Sequence, residues 1–235
     1  MVVIDMATPL NQTGEIKNLW KIIVVDLKSI IELRAFKPTS LPMKLFKGKD
    51  NVVTMLFKGI NYSSVKDLRL AFEQEALKLN ADGYNIYIVM NPINAGFTAG
   101  SAGDKDIDYR DLLLIDIDRS GTSKEPASDE ELEAARELAD DIAAYLKLGG
   151  LDDPLRVMSG NGYHLYYILD NVANSPENTQ RIKDFLNDLA TEFDNDIVKV
   201  DTCVFNASRI TKVVGTIARK GEETVERPYR MAVLL

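Results

Sequence analysis

The chain has one cysteine (Cys203), one histidine (His164) and one tryptophan among 235 residues. A lone cysteine excludes an internal disulfide and any zinc site built from several thiolates, so no zinc is expected. It fits a reducing, cytoplasmic setting. A lone histidine excludes metal centres that need paired imidazoles. No apolar run approaches the roughly 20 residues that span a bilayer, so no membrane partner is expected. The opening Met1-Val2-Val3-Ile4-Asp5 lacks the basic and long apolar regions of a signal peptide. Internal repeats and low-complexity blocks are missing too. Positive charge is in deficit: 28 Lys and Arg face 36 Asp and Glu, for a net charge of −8. That balance argues against a general nucleic-acid coat protein.

The mean charge conceals an asymmetry. Residues 16–70 hold eleven basic against four acidic side chains, whereas residues 104–153 hold six against sixteen. This reads either as an uneven solvated surface or as a basic track beside a carboxylate site. Arg34, Lys44 and Lys47 are the candidate nucleic-acid contacts in the basic part.

Alternating apolar residues predict strands near 31–36 and 52–57. A capping box at Ser64 and Asp67 opens a helix over 64–79. Residues 84–90 form a strand that stops at Asn91-Pro92. The segment 94–108 carries Gly96, Gly100 and Gly103 and reads as a loop; it lacks the spacing of a phosphate-binding P-loop. Residues 109–118 are the most strand-like part, and Leu112 to Ile115 imply burial on both faces. Ser128 with Glu131 caps a helix ending before Gly149. Strands at 155–158 and 163–169 flank the Asn161-Gly162 turn. Ser175-Pro176 opens a helix to about Phe193, followed by a strand at 197–200. The apolar end, 231–235, reads as a cut made at the end of a domain in a longer protein, with a true terminal strand as the alternative. The fold class is α+β (α/β-like).

Asp116 and Asp118 are two apart on a strand, so both leave one face. Carboxylates that close raise each other's pKa, and a divalent cation relieves the conflict. Asp201 follows another short apolar strand and is informative only as a third member. Three carboxylates hold two ions about 3.5–4 Å apart, which in-line displacement at phosphorus exploits. Ser159, Gly160 and Gly162 form a turn in which backbone N–H groups can approach phosphate oxygens. His164 stands just beyond as a triphosphate contact or proton donor. Tyr163, Tyr166 and Tyr167 read as core or rim aromatics. Arg209, Lys212, Arg219 and Lys220 could grip phosphates or merely guard a strand edge.

These motifs, in this order, resemble the archaeo-eukaryotic primase superfamily, in its primase-polymerase branch of the phage, plasmid and mobile-element type. They are Asp116-x-Asp118, Ser159-Gly160-x-Gly162-x-His164, and Asp201 followed by Asn206-x-Ser208-Arg209 and Gly215-Thr216. Asn91-Pro92 adds to the likeness. The resemblance implies one two-lobed catalytic domain over 1–235. An N-terminal lobe would cover about 1–108, and an RNA-recognition-motif-like (RRM-like) lobe about 109–235 would carry the carboxylates. It implies that Asp116, Asp118 and Asp201 hold two Mg2+ or Mn2+ ions and act in catalysis with His164. Ser159, Gly160, Gly162, His164, Arg209 and Lys220 would bind the incoming NTP or dNTP. Single-stranded DNA template, primer and a fused or associated helicase are the implied partners. The expected activity is that of a DNA primase-polymerase. A gap-filling repair polymerase and a non-catalytic DNA-binding replication module are the alternatives. All of this requires Asp201 to lie within about 10 Å of the other two acids.

Overall fold

The structure, a computed structural model, describes residues 11–38, 46–121 and 124–235. Two short helical turns, α1 (Gln12–Glu15) and α2 (Leu19–Ile22), precede β1 (Ile30–Phe36), β2 (Val52–Lys58), α3 (Val65–Ala81) and β3 (Asn85–Val89). Then come β4 (Tyr109–Arg119), α4 (Asp129–Leu148), β5 (Leu155–Met158), β6 (Tyr163–Ala173), α5 (Pro176–Phe193) and β7 (Val198–Val200). The short strands β8 (Ile210–Lys212), β9 (Ile217–Ala218), β10 (Arg230–Met231) and β11 (Val233–Leu234) follow. Among the described residues, no helix is long and apolar enough to cross a membrane.

The second half runs β-α-β-β-α-β and builds an antiparallel sheet in the order β11-β5-β6-β4-β7. Without β11, that is the strand order of a ferredoxin-like, RRM-like unit. Its centre is β4, whose Leu112–Ile115 run is buried. The capping box at Ser128 and Glu131 starts α4, which lays Ala135, Leu138, Ile142 and Leu146 into the core. Full burial of each aliphatic side chain is worth about 1.5–3 kcal/mol.

The other sheet runs β2-β1-β3-β8. Its last strand comes from the second half of the chain, so the sheets do not divide the sequence cleanly near residue 108. Leu33, Ile86 and Ile88 of this sheet join Leu114, Ile117 and Leu165 of the other in one apolar cluster. The apolar end supplies part of β10 and the edge strand β11, which pairs with β5.

The turn after β7 is pinned by two buried polar side chains and by the exposed Asp104. Arg110, 1% exposed, donates from Nη1 to Phe205 O at 2.8 Å. Asn91 Nδ2 donates to Ala207 O at 2.9 Å, and its Oδ1 accepts from Asp111 N and Leu112 N. Asp104 Oδ1 accepts from both Ser208 N and Ser208 Oγ at 2.8 Å. Buried polar groups hold position when their bonds are complete, so the loop between Asp201 and Arg209 is tied to β4 and to the end of β3.

Candidate functional site

Sheet register assembles the site. Asp116 lies directly opposite His164 on β6. On its other side Ile117 pairs with Val200, and one step on Asp201 N donates to Asp116 O at 2.8 Å. Opposed residues in antiparallel pairs have Cα atoms about 4.5–5.5 Å apart. His164, Asp116 and Asp201 therefore form a row across three neighbouring strands, with Asp118 two residues further along the middle one. Asp201 is well inside the separation that the carboxylate reading requires.

Gly162 explains why the row can close. A Cβ there would sit 2.1 Å from Ile117 O and 2.8 Å from Asp118 Oδ1. Gly160 has φ +105°, and its Cβ would meet that of Ala218 at 2.4 Å, so this turn needs glycine twice. The turn differs from a ready phosphate cradle. Ser159 N and Ser159 Oγ both donate to Gly162 O, and Gly160 N points at Met158 Sδ. These groups are engaged within the turn itself.

His164 is only 6% exposed. Its Nε2 lies 3.3 Å from Asp116 Oδ1, yet that oxygen is buried without a well-aligned hydrogen-bond donor. Burial alone would raise the Asp116 pKa, but His164, then Arg209 and Lys220, hold it below the ordinary carboxylate value. Asp118 is pushed up to about 6, first by burial and then by Asp116. Two carboxyls on one face thus titrate apart, as like charges in a shared site do.

A cleft of about 690 Å³ opens over this row, between the sheets. Asp116, Asp118, Ser159, Asn161 and His164 line one wall; Phe36, Asn85, Tyr87 and Thr211 line the other. Lys37, Lys124, Arg209, Lys212, Arg219 and Lys220 also border it. Asp201 does not line the cleft. Its Oδ2 accepts from Arg209 Nη2 at 3.3 Å, and its Oδ1 accepts from Cys203 N at 2.8 Å. Lys212 is buried, donates to Ile217 O at 3.2 Å, and is pushed well below the usual lysine value by burial. Asn85 clamps the Arg219 backbone through Oδ1 and Nδ2, which fixes the stretch carrying Lys220.

Among the described residues, no three His, Cys, Asp or Glu side chains already form a metal-binding group. The donor set nevertheless fits a hard divalent ion. It offers carboxylate oxygens, one buried oxygen without an aligned donor, and one acid that burial holds toward its neutral form.

The expected nucleic-acid contacts fare differently. Arg34 Nε contacts Glu32 Oε1, and its Nη2 donates to Ala102 O at 2.5 Å. It neutralises a fully buried carboxylate and is not a free surface cation, which corrects that expectation. Lys47 is exposed. Lys44 lies outside the described residues.

Tyr87, Lys124, Thr211 and Asn161 went unrecognised as cleft residues. Tyr87 is pushed up to about 12 by burial, then by Asp116 and Asp118. Nothing local to the sequence announces that β8 crosses to the other sheet and brings Thr211 there.

No family model matches the sequence, and no curated protein matches it. The fold is similar to the AEP domain of the cyanophage S-2L primase-polymerase. That match has a TM-score of 0.52 at 16% identity, covering 97% of this chain and 91% of that one. It is also similar to the primase RepB′, with a TM-score of 0.51 at 13% identity, covering 96% of this chain and 56% of that one. The likeness is one of fold: an α+β architecture shared with primase-polymerase domains.

Proposed function

We propose that this chain, folded as primase-polymerase domains are folded, is a template-dependent nucleotidyltransferase. It adds nucleotides to a 3′-hydroxyl on single-stranded DNA template. The observation that carries the reading is the row His164–Asp116–Asp201, of which His164 and Asp116, with Asp118 beside them, line one wall of a cleft bordered by six basic side chains. A pure DNA-binding module gains nothing from acids placed against phosphates.

Asp116 and Asp118, joined by Asp201, are the residues that would hold Mg2+ or Mn2+. Bound there, such ions would supply a lower pKa at the attacking hydroxyl and charge stabilisation at the leaving pyrophosphate. The chain's own groups do the rest. Arg209 and Lys220 bind the triphosphate, the guanidinium through two parallel donors and the ammonium as a point charge. His164 presents a ring nitrogen to a phosphate oxygen. The 3′-oxygen attacks the α-phosphorus, and the bond to pyrophosphate breaks in line.

Residues 1–235 are taken as a single catalytic domain, because one apolar cluster spans both sheets. Synthesis of a first dinucleotide without primer is a further step of this reading, and an associated helicase rests on the resemblance alone. The cytoplasmic setting rests on the lone cysteine.

The test is primer extension by purified protein with Mn2+, primed template and nucleotides. Extension should require Asp116, so Asp116→Ala should extend nothing. No extension by the unaltered protein, or equal extension by both, ends this reading.

A further inference from the structure

His164 is held from behind by two hydroxyls. Its Nδ1 is 2.9 Å from Tyr166 Oη on the same strand. Tyr166 Oη also contacts Thr211 Oγ1, which lies 3.4 Å from the same ring nitrogen. All three residues are buried, at 6%, 1% and 3% exposure. Thr211 belongs to β8 in the opposite sheet, where it pairs with Ile88 of β3. The imidazole is therefore gripped by groups from both halves of the fold, and its other nitrogen faces Asp116.

Donor and acceptor counting fixes the arrangement. Asp116 as a carboxylate offers only lone pairs. A neutral ring with a bare Nε2 would set two acceptors against each other 3.3 Å apart. The proton therefore belongs on Nε2, and Nδ1 must accept. Tyr166 can supply that donor as a neutral phenol, and Thr211 can donate in turn to Tyr166. Which imidazole nitrogen carries the proton is set by the hydrogen bond its partner nitrogen makes.

We propose that Tyr166 and Thr211 are positioning residues that lock His164 as the Nε2–H tautomer, with that N–H turned toward Asp116 on the cleft wall. This inference rests on the nucleotidyltransferase reading for its role. Its structural content can be measured without that activity. An indole-like fixed ring is not available here; an imidazole with a free Nδ1 would flip about χ2 and present the wrong nitrogen.

The chain's single histidine makes the test direct, because one imidazole spin system reports the tautomer in a 15N-histidine spectrum. At about pH 8, where an ordinary histidine is neutral, the unaltered protein should show Nε2–H. Tyr166→Phe and Thr211→Val should shift or mix the tautomers, whereas Thr211→Ser, which keeps the hydroxyl, should retain the original spectrum. Thermal melts identify any variant that fails to fold, and the Thr211 pair stands in for Tyr166→Phe if it does. In primer extension Tyr166→Phe should lower kcat on the order of 10-fold, with little change in nucleotide KM. It should cost little more when added to His164→Ala, because it acts through that ring. An Nδ1–H tautomer in the unaltered protein, or a Tyr166→Phe spectrum identical to it, overturns the proposal. An inactive unaltered protein with the expected tautomer would instead count against the polymerase reading alone.

Discussion

Glu131, at the start of α4, and Asp118, near the end of β4, are both acids beside arginines or lysines, and their surroundings treat them in opposite ways. Glu131 accepts from Arg119 Nη1 at 3.0 Å, from Arg227 Nη1 at 2.7 Å and from Ser128 N at 2.9 Å. Its carboxyl is pushed down to about 2, chiefly by the Arg227 hydrogen bond. Asp118 is pushed up to about 6 by burial and by Asp116. Nearby, Asp116 Oδ1 and Arg219 Nη1 are buried without a hydrogen-bond partner. At the Glu131 clamp the carboxylate is fully paired, although Arg119 Nε there is also buried without a partner; in the cleft the unpartnered groups include a carboxylate oxygen. Buried polar groups without partners are costly, and natural folds keep that cost mainly where a ligand removes it. The clamp stabilises; the cleft is arranged to bind.

The largest break in this contrast should come from Asp116→Asn. Nucleotide addition should fall on the order of 10³-fold or more, because the group at the centre of the row is lost. Thermal stability should hold or rise, since a buried charge in the binding region is removed. The same amide change at the clamp, Glu131→Gln, should do the reverse. It should lower stability by about 1–2 kcal/mol and leave the activity of the folded fraction intact. Paired activity and denaturation measurements on both variants decide whether the two acids belong to different classes.

Gly162→Ala tests the cleft without altering any charge. The added methyl meets Ile117 O and Asp118 Oδ1, so backbone must move. We expect about 1–3 kcal/mol of destabilisation and roughly 100-fold less extension, since a shift near 1 Å at reacting groups has that effect. Full activity with unchanged stability would mean that β4 and the turn are looser than their register implies.

The pH dependence of metal-free stability sharpens the comparison further. The raised pKa of Asp118 makes its contribution fully present below the ordinary 3.8 and lost as pH rises through about 6. The depressed value of Glu131 makes its contribution present above the ordinary 4.5 and lost as pH falls toward about 2. Urea midpoints across pH should therefore show two limbs of opposite slope. Asp118→Asn should flatten the limb between pH 3.8 and about 6, an effect on the order of 3 kcal/mol. Glu131→Gln should flatten only the limb below 4.5. Added Mn2+ at neutral pH should stabilise the unaltered protein and not Asp118→Asn, because the ion relieves the repulsion between the two ionised carboxylates.

Local signals in the sequence carried much of this. The caps at Ser64, Ser128 and Ser175 are where the side chains say, because each accepts from a backbone N–H three residues on. The alternation along β4 placed Asp116 and Asp118 on one face, and the glycines at 160 and 162 marked a tight approach. What local pattern does not encode is register and sheet exchange. Nothing in residues 198–201 says that Asp201 will bond to the Asp116 backbone, and nothing in 210–212 says that this strand will join the first sheet. Both follow from tertiary packing, with Arg110, Asn91 and Asp104 pinning the intervening turn. Arg34 shows the converse failure. Its charge read as surface and DNA-facing, but a buried Glu32 two residues earlier required a counter-ion.

That reassignment leaves Lys47 as the described member of the expected template track, and its effect should be the smallest. Lys47 is exposed on the connection between β1 and β2, so its ammonium is hydrated and contributes to DNA binding only by displacing counterions. Lys47→Ala should weaken single-stranded DNA binding a few-fold at most and evenly across sequences. The slope of log affinity against log salt should fall by about 0.7. Stability should change by less than about 0.5 kcal/mol, as at other surface positions away from special features. An unchanged salt slope would mean that the basic excess of residues 16–70 is solvated surface. The template would then be held by the lysines and arginines that border the cleft, where charge reversal should change the slope and the nucleotide KM together.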